Sequence, residues 1–125
     1  MTIRVLVADD QELVRTGLRM ILDAQPGIQV VGEATNGRQA VSLARELRPD
    51  VCLFDIRMPE LDGPGLYREV ERRHPGLARR FIFLTGDTLS PETREFLEPR
   101  GIPSMTKPFA LREVRLAVER ALRAG

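Results

Sequence analysis

Five short apolar runs alternate with five amphipathic segments along this chain, and this alternation restricts the folds open to it more than any other feature. The runs cover residues 3–8, 28–34, 51–54, 81–84 and, more weakly, 102–105. Three of them are apolar almost throughout, a pattern typical of strands that are covered on both faces of a sheet. Because alternating strands and helices join parallel strands through right-handed crossovers, the sequence predicts an α/β fold. Helices should cover both faces of a doubly wound, five-stranded parallel sheet.

The segments between the runs carry apolar residues at spacings of three and four, which indicates helices. The first of these helices is predicted to direct Arg15, Arg19 and Asp23 towards solvent. Its predicted buried stripe comprises Leu13, Val14, Gly17, Leu18, Ile21 and Leu22. The other helices are predicted at about 37–47, at about 64–73, from 91 onward after an N-cap at Ser90, and at about 110–124.

The length of 125 residues suits one domain, so residues 1–125 are expected to form a single unit. A net charge of +1 disfavours a nucleic-acid-binding surface, which needs a basic excess. The lone cysteine, Cys52, lies in an apolar run, as expected of a small core residue in a reducing compartment. Since the chain shows neither an apolar stretch of about 20 residues nor a signal-peptide pattern, we expect no membrane span and a cytoplasmic location.

Polar side chains follow four of the five predicted strands. Asp9 and Asp10 follow the first strand, Asp55 the third, Thr85 the fourth and Lys107 the fifth. In an open parallel sheet, ligands bind in the crevice beyond the carboxyl ends of the strands. With strand order 2-1-3-4-5 these four ends are adjacent, so we expect the functional site there.

Three carboxylates in one crevice repel each other strongly unless a cation lies between them. Carboxylates and water suit the octahedral oxygen shell of Mg²⁺. Lys107, the only lysine among 19 Lys and Arg residues, adds a second positive charge. This combination predicts a phosphoryl-transfer site in which Asp55 is the nucleophile and forms an acyl phosphate. The Thr85 hydroxyl and Lys107 would bind the remaining phosphoryl oxygens.

The same positions carry a resemblance to a known family. The motifs that carry it are Val5-Leu6-Val7-Ala8-Asp9-Asp10, Phe54-Asp55-Ile56-Arg57-Met58-Pro59, Asp62-Gly63, Leu84-Thr85 and Lys107-Pro108-Phe109. In these motifs the chain resembles, over its whole length, the receiver domains of two-component response regulators. The resemblance implies that residues 1–125 form one receiver domain with a (βα)5 fold and the flavodoxin-like strand order 2-1-3-4-5.

The resemblance also implies a magnesium site and its ligands. Asp55 is implied to be the phosphoacceptor and a metal ligand, Asp10 a direct ligand of Mg²⁺, and Asp9 a second acidic partner. The backbone carbonyl of Arg57 is implied to be a further ligand. Residues 1 to about 65 resemble receivers of the NarL/FixJ type, and those from about 80 onward resemble receivers of hybrid histidine kinases.

Two further roles and two departures follow from the same comparison with the family pattern. Thr85 is implied to be the switch hydroxyl and Lys107 the partner of the phosphoryl group. Family members usually carry Tyr or Phe three residues before the lysine, but this chain has Ser104 there. The residue after the threonine is Gly86, where Ala is common, which leaves the site more open.

The implied function is that of a signalling switch that catalyses its own phosphorylation and dephosphorylation. A sensor histidine kinase or phosphotransfer protein would donate the phosphoryl group from phosphohistidine to Asp55. An output domain or effector protein would receive the signal, without direct nucleic-acid binding by this domain, and dimerisation is left open. The alternative is a phosphorylation-independent interaction module. Loss of Asp55, Asp10 or Lys107 would favour it, and all three are present.

Two other classes with α/β architecture fit less well. A flavin-binding electron carrier needs a hydroxyl-rich phosphate loop and stacking aromatics, and this chain has one Tyr and no Trp. A nucleotide-binding enzyme needs a glycine-rich phosphate loop, which the sequence lacks. His74 lies beside a proline in an Arg-flanked loop and is interpreted as a solvated surface residue.

Overall fold

The computed structural model describes residues 2–55, 63–73, 75–78, 80–85, 91–100, 102, 104–106 and 111–124. Each strand is followed by one or two helices along these residues. The strands are β1 (Ile3–Ala8), β2 (Ile28–Ala34), β3 (Val51–Asp55), β4 (Phe81–Thr85) and β5 (Ser104–Thr106). The helices are α1 (Glu12–Asp23), α2 (Gly37–Leu47), α3 (Gly63–Arg73), α4 (Pro75–Ala78), α5 (Pro91–Arg100) and α6 (Leu111–Ala124).

The five described strands form one sheet in the order β2-β1-β3-β4-β5, and every neighbouring pair is parallel. The predicted fold class and strand order are therefore confirmed. β3 and β4 are buried along their whole length, as their unbroken apolar runs predicted. Among the described residues, no helix is both long and apolar enough to cross a bilayer.

Successive residues of the central strands alternate between two cores. Val5 and Val7 of β1 belong to the core under α1 and α6, which also contains Leu18 and Leu22. Leu6 belongs to the opposite core, where α2, α3 and α5 cover the sheet. Because successive strand side chains point to opposite faces, two helical layers can cover one sheet.

The core under α3 and α5 is rich in aromatic rings. Phe83 on β4 lies 6.3 Å from Tyr67 on α3 and 6.5 Å from Phe96 on α5, measured between ring centroids. The rings of Tyr67 and Phe96 are 5.6 Å apart and almost perpendicular, a favourable edge-to-face arrangement. The guanidinium of Arg100 lies 4.3 Å from the centroid of the Phe96 ring, within the range of a cation–π contact. These contacts attach α5 to the sheet.

Strand β2 contains one residue more than β1 over their paired length. Val5 pairs with Val30, but Leu6 pairs with Gly32, so Val31 forms a bulge. A bulge shifts the alternation of side chains by one residue. After it, Glu33 pairs with Val7 and therefore lies on the face of the sheet that α1 covers.

The secondary-structure predictions from sequence hold for most elements. The bounds of β1, β2 and α2 agree with the predicted 3–8, 28–34 and 37–47. Strand β5 begins two residues later than predicted, and the four-residue helix α4 was not predicted. The predicted N-cap Ser90 lies outside the described residues.

Two predictions about the faces of α1 are wrong. Leu13, assigned to the buried stripe, is 88% exposed, because it lies about two and a half turns before Leu22 and therefore on the opposite side of the helix. Arg15, assigned to solvent, keeps only 14% of its side chain exposed. Its guanidinium folds back onto the chain and forms an ion pair with Glu33. The apolar spacing correctly located the helix but not the limits of its buried face.

Two leucines of α1 provide a matched test of this description. Leu22 is fully buried, so Leu22→Ala is expected to lower the free energy of unfolding by about 2–5 kcal/mol through lost burial and the cavity left behind. Leu13→Ala should change it by less than about 0.5 kcal/mol. Urea titration followed by circular dichroism measures both. A loss for Leu13→Ala as large as that for Leu22→Ala would contradict the exposed position of Leu13.

Candidate functional site

The carboxyl ends of β1 and β3 bring three aspartates together. Because Ala8 pairs with Phe54, Asp9, which follows β1, and Asp55, the last residue of β3, lie side by side. One carboxylate oxygen from each of Asp9, Asp10 and Asp55 can be chosen so that all lie within 4.8 Å of one another. The register of two parallel strands thus creates the acidic cluster that the sequence placed at this edge.

Asp9 is fully buried and its position is fixed through several groups. Its backbone N–H donates to the carbonyl of Ala34 at the end of β2 (3.0 Å). Its carboxylate Oδ1 accepts the backbone N–H of Gln11 (2.8 Å), a local bond of the kind that aspartate forms in turns. Its backbone carbonyl accepts a hydrogen bond from Nη1 of Arg15 (2.9 Å). The turn from β1 into α1 is therefore held on both sides.

The three carboxylates differ in their exposure to solvent. Asp9 is buried, Asp55 is 8% exposed, and Asp10 is exposed. Three negative charges at this separation repel one another, and burial removes most of the water that would screen them. A hard divalent cation offsets this repulsion, and a cluster of carboxylate oxygens open to water on one side suits the ligand preference of Mg²⁺. The donor set fits a magnesium ion.

Thr85, the last residue of β4, lies at the same edge of the sheet and is 2% exposed. Its hydroxyl donates to the backbone carbonyl of Met105 on the neighbouring strand β5 (3.3 Å). The hydroxyl proposed from sequence to bind a phosphoryl oxygen is thus already a hydrogen-bond donor to β5. To bind a ligand at the acidic cluster, it would have to exchange this bond.

Two other residues predicted for the site, Lys107 and Arg57, lie outside the described residues, as does Gly86. Their roles stay predictions. Ser104, which stands at the usual aromatic position, is exposed and pairs with Phe83 across β4 and β5.

Sequence reasoning missed two residues that border the site. Arg15 contacts the backbone of Asp9, and its Nε lies 3.3 Å from Oε1 of Glu33. The signal available in the sequence was Glu33 itself, the one charged residue of a mostly apolar strand. A half-buried carboxylate of this kind needs a partner. Its position in sequence did not show on which face of the sheet that partner would be.

Comparison with known proteins places this site in a family. The chain matches the family model of the response regulator receiver domain over residues 5–119. It is 46% identical over 110 residues to a protein-glutamate methylesterase/protein-glutamine glutaminase of Alkalilimnicola ehrlichii, covering 88% of this chain and 28% of that protein. It is 39% identical over 116 residues to the response regulator GacA of Pseudomonas viridiflava, covering 93% and 53% respectively.

Solved structures agree with this match. The receiver domain of a NarL response regulator from Mycobacterium tuberculosis superposes with a TM-score of 0.87 at 28% identity, covering 98% of this chain and 97% of that one. The response regulator domain of CheB from Thermotoga maritima gives a TM-score of 0.85 at 32% identity, with 98% of both chains covered. The chain belongs to the response regulator receiver family. It spans about half the length of GacA and about a quarter of the methylesterase.

The acidic cluster predicts how Mg²⁺ changes stability. A cation that binds only the folded state should stabilise it by about 1.4 kcal/mol at ten times its dissociation constant. Asp10→Asn should abolish this response. It should also raise the stability of the metal-free protein, because one of three repelling charges is removed. Thermal unfolding with Mg²⁺ and with EDTA measures both effects.

Glu12→Gln is the matched control, since Glu12 is an exposed carboxylate close by in sequence that is not part of the three-aspartate cluster. It should retain the full magnesium response. A response lost equally in both variants would mean that Mg²⁺ acts through the general charge of this surface.

Proposed function

We propose that this receiver domain, formed by residues 1–125, accepts a phosphoryl group on Asp55 with the help of Mg²⁺. The observation that carries the proposal is the cluster of Asp9, Asp10 and Asp55 at the carboxyl edge of the sheet. The donor would be the phosphohistidine of a sensor histidine kinase or of a phosphotransfer protein. Membership in the receiver family supports this class of donor.

In the transfer, one carboxylate oxygen of Asp55 forms a bond to phosphorus while the bond from phosphorus to the donor's imidazole nitrogen breaks. The electron pair of that bond leaves with the nitrogen, and the product is an acyl phosphate. Asp55 is almost buried at the end of the central strand β3, so its carboxylate has little freedom to turn away. This fixed position keeps the nucleophile close to the geometry of attack.

Asp9 and Asp10 would hold the Mg²⁺ ion, together with Asp55 and the backbone carbonyl of Arg57. When bound, this ion supplies positive charge that offsets the charge on the transferring oxygens. Asp9, buried and hydrogen-bonded, fixes the inner side of this arrangement, and Asp10 faces solvent. Lys107 would add a second positive charge beside the phosphoryl oxygens.

The signal would leave the site through Thr85. Its hydroxyl binds either the carbonyl of Met105, as in this structure, or a phosphoryl oxygen on Asp55. A phosphoryl group can favour one state only through contacts that are better in that state. Exchange of this bond would change the link between β4 and β5 without an aromatic ring, since position 104 is serine. An output domain or effector protein would read the change.

Phosphoryl transfer to Asp55 can be tested with small donors. After incubation with phosphoramidate or acetyl phosphate and Mg²⁺, intact-mass measurement should show one added phosphoryl group, and EDTA should prevent it. Asp55→Asn should show none, because an amide is a poor nucleophile. Asp50→Asn, which alters the aspartate just before the opposite end of β3, should be labelled like the parent.

Equal labelling of the parent and of Asp55→Asn would reject Asp55 as the acceptor. A parent protein that takes no phosphoryl group from any donor would instead favour the phosphorylation-independent interaction module.

A further inference from the structure

Arg15 connects the acidic turn to the edge strand of the sheet. From the first turns of α1, its Nη1 donates to the backbone carbonyl of Asp9 (2.9 Å) and its Nε to Oε1 of Glu33 on β2 (3.3 Å). The side chains of Arg15 and Glu33 are 14% and 26% exposed, so water screens this pair less than it screens a surface ion pair. One guanidinium thus links α1, β2 and the turn that carries the aspartates.

The bulge at Val31 is what brings Glu33 into this arrangement. Before the bulge, Val30 faces the core under α1 and α6. If residues 30–33 alternated regularly, without a bulge, position 33 would fall on the face opposite to Val30, because strand side chains alternate with a period of two. The bulge directs Glu33 towards α1, where it meets both Arg15 and Arg19.

The bond from Arg15 fixes the direction of the Asp9–Asp10 peptide. The carbonyl of Asp9 and the N–H of Asp10 belong to one rigid planar unit. The carbonyl of Asp9 is held by Arg15, so the Asp9–Asp10 peptide cannot rotate about its flanking bonds without breaking this hydrogen bond. The preceding peptide is held separately, through the bond from the N–H of Asp9 to Ala34. The backbone from which the side chain of Asp10 projects is therefore oriented by Arg15.

Charge balance makes an arginine tolerable beside a cation site. A lone guanidinium next to the aspartates would repel a divalent ion. Glu33 pairs with both Arg15 and Arg19, and Asp23 pairs with Arg19 (3.6 Å). Two positive and two negative groups leave this network with no net charge. Arg15 can therefore supply hydrogen bonds to the turn while its repulsion of the cation is offset.

We infer that Arg15, held by Glu33, is a positioning residue that orients the Asp9–Asp10 turn and so sets the affinity of the site for Mg²⁺. This inference rests on the proposed function, because it assigns the acidic cluster a divalent cation. Residues that orient metal ligands without touching the metal typically contribute about ten- to a hundredfold to affinity. Arg15 acts here through the backbone of a ligand rather than through its side chain.

The test compares two arginines of one network. Arg15→Gln removes the bond to Asp9 and one pair with Glu33, whereas Arg19→Gln removes only ion pairs with Glu33 and Asp23. Titration calorimetry with MgCl₂ should show an affinity about tenfold weaker for Arg15→Gln. Arg19→Gln, whose side chain is half exposed, should stay within about twofold of the parent.

Kinetics provide a readout that a merely structural role would not produce. With phosphoramidate as donor, Arg15→Gln should raise the Mg²⁺ concentration needed for half-maximal phosphorylation by about tenfold. The rate at saturating Mg²⁺ should stay near the parent value, because the nucleophile Asp55 is untouched. An equal loss of rate at every Mg²⁺ concentration would contradict the inference, as would equal affinities for Arg15→Gln and Arg19→Gln.

Two further variants separate orientation from charge and cover the case in which Arg15→Gln fails to fold. Arg15→Lys keeps the charge but lacks the fork that reaches Asp9 and Glu33 together, so its affinity should also fall. Glu33→Gln leaves Arg15 uncompensated, so affinity should fall most at low ionic strength and recover with added KCl. Parent-like affinity in both variants would overturn the inference.

The experiment distinguishes failure of the inference from failure of the proposed function. If the parent binds no Mg²⁺, the cation site itself is wrong. If the parent binds Mg²⁺ and Arg15→Gln binds it equally well, only the role of Arg15 is wrong. An amide NMR spectrum of the metal-free protein adds a readout without metal or donor. Arg15→Gln should shift the Asp10 and Gln11 signals, and Arg19→Gln should leave them in place.

Discussion

Repulsion between the carboxylates of Asp9, Asp10 and Asp55 is the constraint on which the rest of the structure depends. The register between β1 and β3 places Asp9 and Asp55 side by side, and neither can move apart without shifting a buried strand. The apolar burial on both faces of the sheet provides the stabilisation that opposes this repulsion. A cation would bind to a site that already exists, because the strands rather than the ion determine where the carboxylates lie.

The sequence predicted the sheet well because apolar runs and helical spacings are local signals, and the strand order follows from them and the resemblance. It also placed the aspartates at one edge, since each ends or follows a strand. The environments of Leu13 and Arg15 on α1 were predicted wrongly. Leu13 lies half a turn away from Leu22, which the spacings of three and four residues overlooked. The burial of Arg15 depends on which neighbouring residue reaches it. The partner of Arg15 depends on a bulge, for which an apolar strand gives no local signal.

Few side chains join helix α5 to β4, the strand that carries Thr85. Among its described residues, only Phe96 and Leu97 are buried, and Phe96 packs against Phe83 of β4 and Tyr67 of α3. Phe83 lies two residues before Thr85 on the same strand, so one short strand segment carries both the hydroxyl at the site and the ring that attaches α5. A displacement at the end of β4 can therefore reach α5 through the packed rings of Phe83 and Phe96. Position 104 is serine and adds no ring to this contact.

The bulge in β2 makes the number of residues in a strand, rather than their chemistry, responsible for where a charge lies. A regular strand of the same seven residues, without a bulge at Val31, would leave every side chain of β2 intact, yet it would exchange the two faces of the strand on one side of Val31. If the shift fell on the end nearest the turn, Glu33 would enter the apolar layer beneath α2, and Ala34 would face the two arginines. Some homologous chains would keep both Arg15 and Glu33 but differ in the number of residues between them. In an alignment of such chains, the gap should therefore be placed at Val31. Alignment by side-chain similarity alone would pair residues that lie on opposite faces of the sheet.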